Sequence, residues 1–154
     1  MNNKIKLFLL FLAGSFACKT GPNQSELDAQ QQAWEEMMAI HDEVMPKMSE
    51  MNQVVREFTG IEEKEQALFE QYRERILASK ERIEAAEEAM FSWMNEIKQL
   101  EQLRETMSHE EILAYLAAEK EKISKVKADM LGSLEGGFQL LSEFEDLSQQ
   151  ENQE

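Results

Sequence analysis

One cysteine, two histidines and two prolines are all that 154 residues contain of these types, and each scarcity closes a route. Cys18 has no possible mate, so an internal disulfide is excluded. With so few prolines and only six glycines, little in the chain forces a helix to stop. The β-branched and aromatic clusters that announce strands are missing, while Glu, Gln, Ala, Leu, Met and Lys dominate, so the fold class is all-α. Basic side chains are also scarce, 16 against 31 acids for a net charge of −15, which argues against nucleic acid as a partner. There is no Walker loop, no dinucleotide fingerprint and no pair of Glu-x-x-His motifs for a di-iron bundle, because Met38 and Thr106 stand three residues before the histidines. His109-Glu110-Glu111 opens like a zinc-protease motif, but Leu113 holds the place of its second histidine. The expectation is a non-enzymatic protein without a cofactor.

The amino terminus differs in kind from the rest. Lys4 and Lys6 precede an apolar run from Leu7 to Ala13 that ends in small residues, the pattern of an export signal over residues 1–17. The run is too short for a membrane span, which needs about 20 apolar residues. Gly14-Ser15-Phe16-Ala17 directly before Cys18 resembles the lipobox of bacterial lipoproteins, with the small Ala17 in place and Ser15 where the family usually carries Leu. The resemblance implies cleavage and diacylation of Cys18, and two acyl chains would anchor the protein stably. An ordinary signal peptide with an incidental cysteine is the alternative. Lys19, where an acidic residue is associated with inner-membrane retention, points to the outer membrane. Cleavage removes two lysines and no acids, taking the charge from −15 to about −17, so attachment to the membrane should come from lipid and not from a basic surface.

Residues 18–26 read as the lipidated cysteine and a flexible tether, with Gly21-Pro22 and no apolar side chain after Cys18, and Ser25 or Asp28 as candidate caps. Residues 27–147 carry heptads. Leu27, Trp34, His41, Met48 and Val55 form one series and Met37, Val44, Met51 and Phe58 the other, with Pro46 off the stripe as a kink. Thr59-Gly60 should end this first helix. A second helix is expected from Ile61 to Thr106 without a break, on Tyr72, Ser79, Ala86, Trp93, Leu100 and Met107 and on Phe69, Ile76, Ile83, Met90 and Ile97. Ser108 to Glu111 has the form of a capping box and opens a third helix on Ile112, Leu116, Ile123, Val126 and Met130. That helix should be bent or broken near Gly132 to Gly137, and residues 148–154 should fray.

Short connections imply an elongated antiparallel three-helix bundle with coiled-coil-like packing. Folding the chain at Gly60 and near Ser108 sets Trp34 beside Ala86 and Met130, Val44 beside Ile76 and Leu140, and Met48 beside Tyr72 and Phe144. His41 falls with Ser79 and Gly136 or Gly137, a candidate polar layer in the core. The same register leaves Ile97, Leu100, Ile112 and Leu116 uncovered, with Leu103, Leu113 and Tyr115 nearby. This overhang is either a surface for association or an end closed by the tether or by splayed helices.

Two chemistries compete for the stretch from Trp34 to Met48. Met37, His41 and Met45 at four-residue intervals are a thioether and imidazole set suited to Cu(I). The same methionines at core positions are gap-filling packing. An acid/base role of His41 with Asp42 or Glu43 is opposed by adjacent positions facing different sides of a helix. With its lipobox-like start, HDEVMPKM at His41 to Met48 and Trp93-Met94, the chain resembles a group of short bacterial lipoproteins labelled "viral A-type inclusion protein". The resemblance implies a coiled-coil fold and an envelope location, and no activity or site residue. The expected role is a lipid-anchored helical module of the cell envelope that binds a protein partner or itself; the alternative is a metal-handling protein built on His41.

Overall fold

The computed structural model describes residues 21–151, with side chains through residue 147. The signal segment, Cys18 and the last three residues lie outside that range. Among the described residues the chain is all-helical, 91% helix without a strand, and four helices pack together. None is long and apolar enough to cross a membrane. The helices are α1 (Gln24–Val44), α2 (Lys47–Lys64), α3 (Gln66–Glu96), the short α4 (Leu100–Thr106) and α5 (His109–Glu151).

Helix α1 starts on a capping box supplied by Asn23, not by Ser25 or Asp28. The Asn23 Oδ1 accepts from the Glu26 N–H at 3.1 Å and Glu26 Oε2 accepts from the Asn23 N–H at 2.9 Å. The bend of the fold lies in this first long helix, between α1 and α2 at Met45-Pro46. Pro46 has helical dihedrals (φ −60°, ψ −23°) but no N–H to give to Asp42, and the chain bridges the gap with a Met48 N–H to Met45 carbonyl bond of 3.2 Å.

Gly60 does not end a helix. Helix α2 runs through it to Lys64, and the corner is the single residue Glu65 (φ −125°, ψ 54°). Phe58 is fully buried and Ile61 packs on the core, so apolar contacts on both sides outweigh the roughly 1 kcal/mol that a helical glycine costs. The same argument corrects α5, which is unbroken across Gly132, Gly136 and Gly137. Met130 before these glycines, Leu134 between them and Leu140, Leu141 and Phe144 after them are buried, and none of the three glycines has a positive φ. Continuity places Gly137 at a core position and turns Phe138 outward, 42% exposed.

The expected helix from Ile61 to Thr106 is in fact interrupted twice, at Glu65 and at Ile97–Gln99. Neither break has a glycine or proline. At the second, the Lys98 N–H donates to the Tyr115 hydroxyl at 3.0 Å, so a side chain of α5 satisfies a backbone group freed by the break. Ser108 and Glu111 do form the capping box of α5, with N–H to oxygen distances of 2.7 and 3.3 Å.

Register decides where the core ends. Tyr72 lies on Phe144 with ring centroids 4.9 Å apart, and Arg75 pairs with Glu143, so α3 and α5 run in opposite directions at the expected level. Helix α1 is displaced. Lys120 pairs with Glu36 and Lys127 with Glu43, the same 84-residue separation in both cases. Compared with Val44 beside Leu140, α1 has slid toward the start of α5 by about twelve residues, or roughly 18 Å. The slide follows from the corner at Glu65, which lengthens the first arm. It covers the expected overhang: Leu100, Leu103, Ile112 and Leu116 are all at most 2% exposed beneath α1 and the folded-back α4.

Candidate interaction groove

His41 does not meet Ser79 or the glycines. Its ring lies 5.7 Å from that of Trp93, and Trp93 is fourteen residues, about 21 Å of helix, from Ser79. The expected layer fails because α1 is displaced. Contrary to the argument from adjacent helix faces, His41 Nδ1 lies 2.9 Å from Asp42 Oδ1; a carboxylate only accepts, so Nδ1–H is the donor. The bond orients the ring, and His41 lines none of four grooves found among the described residues. Met37 is fully buried and Met45 packs at the edge of the core. Trp93 is the cost of this arrangement. Its indole N–H is buried without a partner among the described residues, a penalty of about 1–3 kcal/mol.

The buried polar residue of α1 is Gln30, 1% exposed. Arg104 Nε donates to Gln30 Oε1 at 2.9 Å and an Arg104 Nη to the Leu27 carbonyl at 3.2 Å. Because a guanidinium only donates, the carbonyl end of Gln30 must face it. The amide NH2 then donates to His109 Nδ1 at 3.3 Å, which assigns His109 the neutral Nε2–H tautomer. This clasp joins α1, α4 and α5 beside a cavity of about 370 Å³ that Gly21 and Pro22 also line. It ties the start of α1 to α4 and α5.

Ser79 and Gly136 do come together, in a groove of about 470 Å³ between α3 and α5. A second groove of about 370 Å³ lies on the same pair of helices, lined by Ala85, Ala86, Ala128 and Gly132, and Arg82 and Ser133 border both. Small side chains on facing helices create it. Gly137, by contrast, packs inward, where a Cβ would stand 2.7 Å from Val54 Cγ1. Ser79 is 6% exposed and lines the groove with Gly136. Ser133 gives its hydroxyl to the Met130 carbonyl. Arg82 donates Nε to the Ala78 carbonyl and has no carboxylate at ion-pair distance among the described residues. At the far end Arg75 grips Glu143 with two bonds of 2.7 and 3.0 Å, which lowers the Glu143 carboxyl below its usual range and raises the guanidinium.

Glu87 titrates the other way. Burial lifts its carboxyl above the usual value of 4.5, and the charge of Glu84 adds to the shift. A carboxyl raised in the folded state favours folding fully below its unfolded pKa, and that benefit is lost as pH rises through the folded value. Glu87→Gln, which keeps the oxygen that accepts from Asn52 at 3.1 Å, is therefore expected to raise the urea midpoint at pH 7 and leave it unchanged near pH 3.

The site residues missed in sequence are Gln30, Arg82 and Arg104, while Trp93 was expected on a core series but not beside His41. Of the three, Gln30 alone had a signal, standing seven residues before Met37 on a core series. Comparison with family models, with curated proteins and with solved structures found no match.

Proposed function

We propose that this chain is a lipid-anchored, non-enzymatic interaction module of the cell envelope: an elongated antiparallel three-helix bundle that presents the α3–α5 groove to a helical partner. The observation that carries the docking half is the groove itself, with Ala78, Ser79, Ser133 and Gly136 in its walls and an Arg82 without a carboxylate at ion-pair distance among the described residues. The anchoring half rests on the signal-like start and Cys18, with attachment toward the outer membrane. The core register supports the bundle, because one 84-residue offset relates α1 to α5 along its length while α3 runs opposite to α5. A label shared with the short lipoproteins that the chain resembles adds no activity to this reading.

Each half has its own experiment. Cys18→Ser in the full chain is expected to move the protein from the membrane to the soluble fraction, and retention in the membrane would remove the lipid anchor. A photoreactive amino acid at Gly136 of the full chain in cells is expected to give one discrete adduct, with none from Gln32 on the exposed side of α1. Equal labelling from both positions, or none from Gly136, would end the docking reading.

A further inference from the structure

Helix α1 carries a nitrogen donor that the packing leaves unused. His41 gives Nδ1–H to Asp42 at 2.9 Å and its ring lies beside Trp93, so the imidazole is held on two sides. The other ring nitrogen, Nε2, carries the lone pair of the neutral form and has no hydrogen-bond partner among the described residues. Nor is it sealed in the core. The side chain is 14% exposed, and the buried side-chain nitrogen left without a partner is that of Trp93. A histidine whose one N–H is fixed by a carboxylate while its second nitrogen stays open is oriented as metal-binding histidines are.

Two thioethers flank it. Met38 stands three residues before His41 and Met45 four after, the spacings that set side chains next to one another on a helix, and both are only partly buried. The helical register holds up to the kink, because Met45 keeps helical dihedrals (φ −53°, ψ −40°) and its N–H donates to the His41 carbonyl at 2.9 Å. Met37, the third donor expected from the sequence, is fully buried and drops out of the set.

We infer that Met38, His41 and Met45 form a surface site for Cu(I), with His41 Nε2 and the two thioether sulfurs as ligands. Imidazole with thioether is a donor set that suits this soft ion, and the flexible methionine side chains close on it by rotation. A harder divalent ion finds no comparable cage, since no group of three or more His, Cys, Asp and Glu side chains among the described residues is placed to hold a metal. Asp42 adds negative charge behind the ring. The site is independent of the α3–α5 groove, which His41 does not line.

The test is titration of Cu(I) into the full chain carrying Cys18→Ser, so that the cysteine sulfur takes no part, against a chromogenic Cu(I) chelator. One ion per chain is expected. Asp42→Asn should weaken binding about tenfold and His41→Ala about 100-fold or more, since a ligand counts for more than the residue that orients it. Met38→Leu and Met45→Leu, which keep the packed volume, should each cost about tenfold, and Met94→Leu, exposed on α3, should cost nothing. With Trp34→Phe added, the emission of Trp93 should fall as the ion binds and stay constant in His41→Ala. Affinity unchanged by His41→Ala would overturn the inference. So would affinity unchanged by both leucine substitutions, which marks a lone histidine contact; these two variants decide the matter even if His41→Ala loses helicity. Displacement of Cu(I) by an equal concentration of Zn(II) would overturn it as well.

Discussion

Gly137→Leu is expected to unfold the bundle by about 3 kcal/mol or more, the upper range for overpacking, while Gly60→Ala raises stability by about 1 kcal/mol. Both glycines are helical, and space alone separates them. At Gly137 a Cβ stands 2.7 Å from Val54 Cγ1 and 3.5 Å from Ile83 Cδ1. Val54 and Ile83 are fully buried, and a valine in a helix has essentially one χ1 rotamer, so the wall cannot yield without moving α2. Even Gly137→Ala should lose more to this clash than the roughly 1 kcal/mol it gains in helix propensity. At Gly60 nothing lies within 4 Å. If that residue ended a helix in a left-handed conformation, alanine there would destabilise, so the sign of the Gly60→Ala effect tests the continuity of α2 directly. Urea denaturation followed by circular dichroism gives both values, and a destabilised Gly60→Ala would contradict the position of the corner at Glu65.

The glycines also show what the sequence made legible. Helical class and the two heptad series of α3 follow from apolar spacing, and Ile76, Ser79, Ile83, Ala86, Met90 and Trp93 are buried as that spacing requires. The Ser108 cap is legible because its chemistry is local. Breaks at Glu65 and Ile97–Gln99 are not, because no special residue marks them and tertiary contacts stabilise the corners. A five-residue error in the first corner displaced α1, and every pairing that depended on it, including His41 with Ser79, moved with it. Pairings between α3 and α5 survived because Ser108 fixed their common turn, as Tyr72 on Phe144 shows. Half of the candidate groove was legible for the same reason: Ser79 and Gly136 were placed together, while Arg82, off the heptad stripe, carried no signal.

Gln30 and Arg104 supply the sharpest remaining test, because their substitutions are expected to cancel. Arg104→Met strands the Gln30 carbonyl, 1% exposed, without a donor and should cost about 2 kcal/mol. Gln30→Leu removes the acceptor of a half-buried guanidinium and should cost about as much, since hydrogen bonds to charged groups contribute about 1.5–3 kcal/mol. The double variant removes both ends of the Arg104–Gln30 bond, leaves only the part-buried His109 Nδ1 and the Leu27 carbonyl without these donors, and places leucine on the core series with Met37, Val44, Met51 and Phe58. It should return to within about 1 kcal/mol of the unaltered protein, a coupling of roughly 3 kcal/mol in a double-mutant cycle. His109→Ala, which removes only the 3.3 Å bond, should cost less than either single change. Additive losses in the double variant would show that the clasp is a set of separate contacts. Cancellation would show one polar joint that ties the start of α1 to α4 and α5. Such a joint fixes α1 against α4 and α5 by directional bonds, which apolar packing alone would leave freer to slide along the heptads.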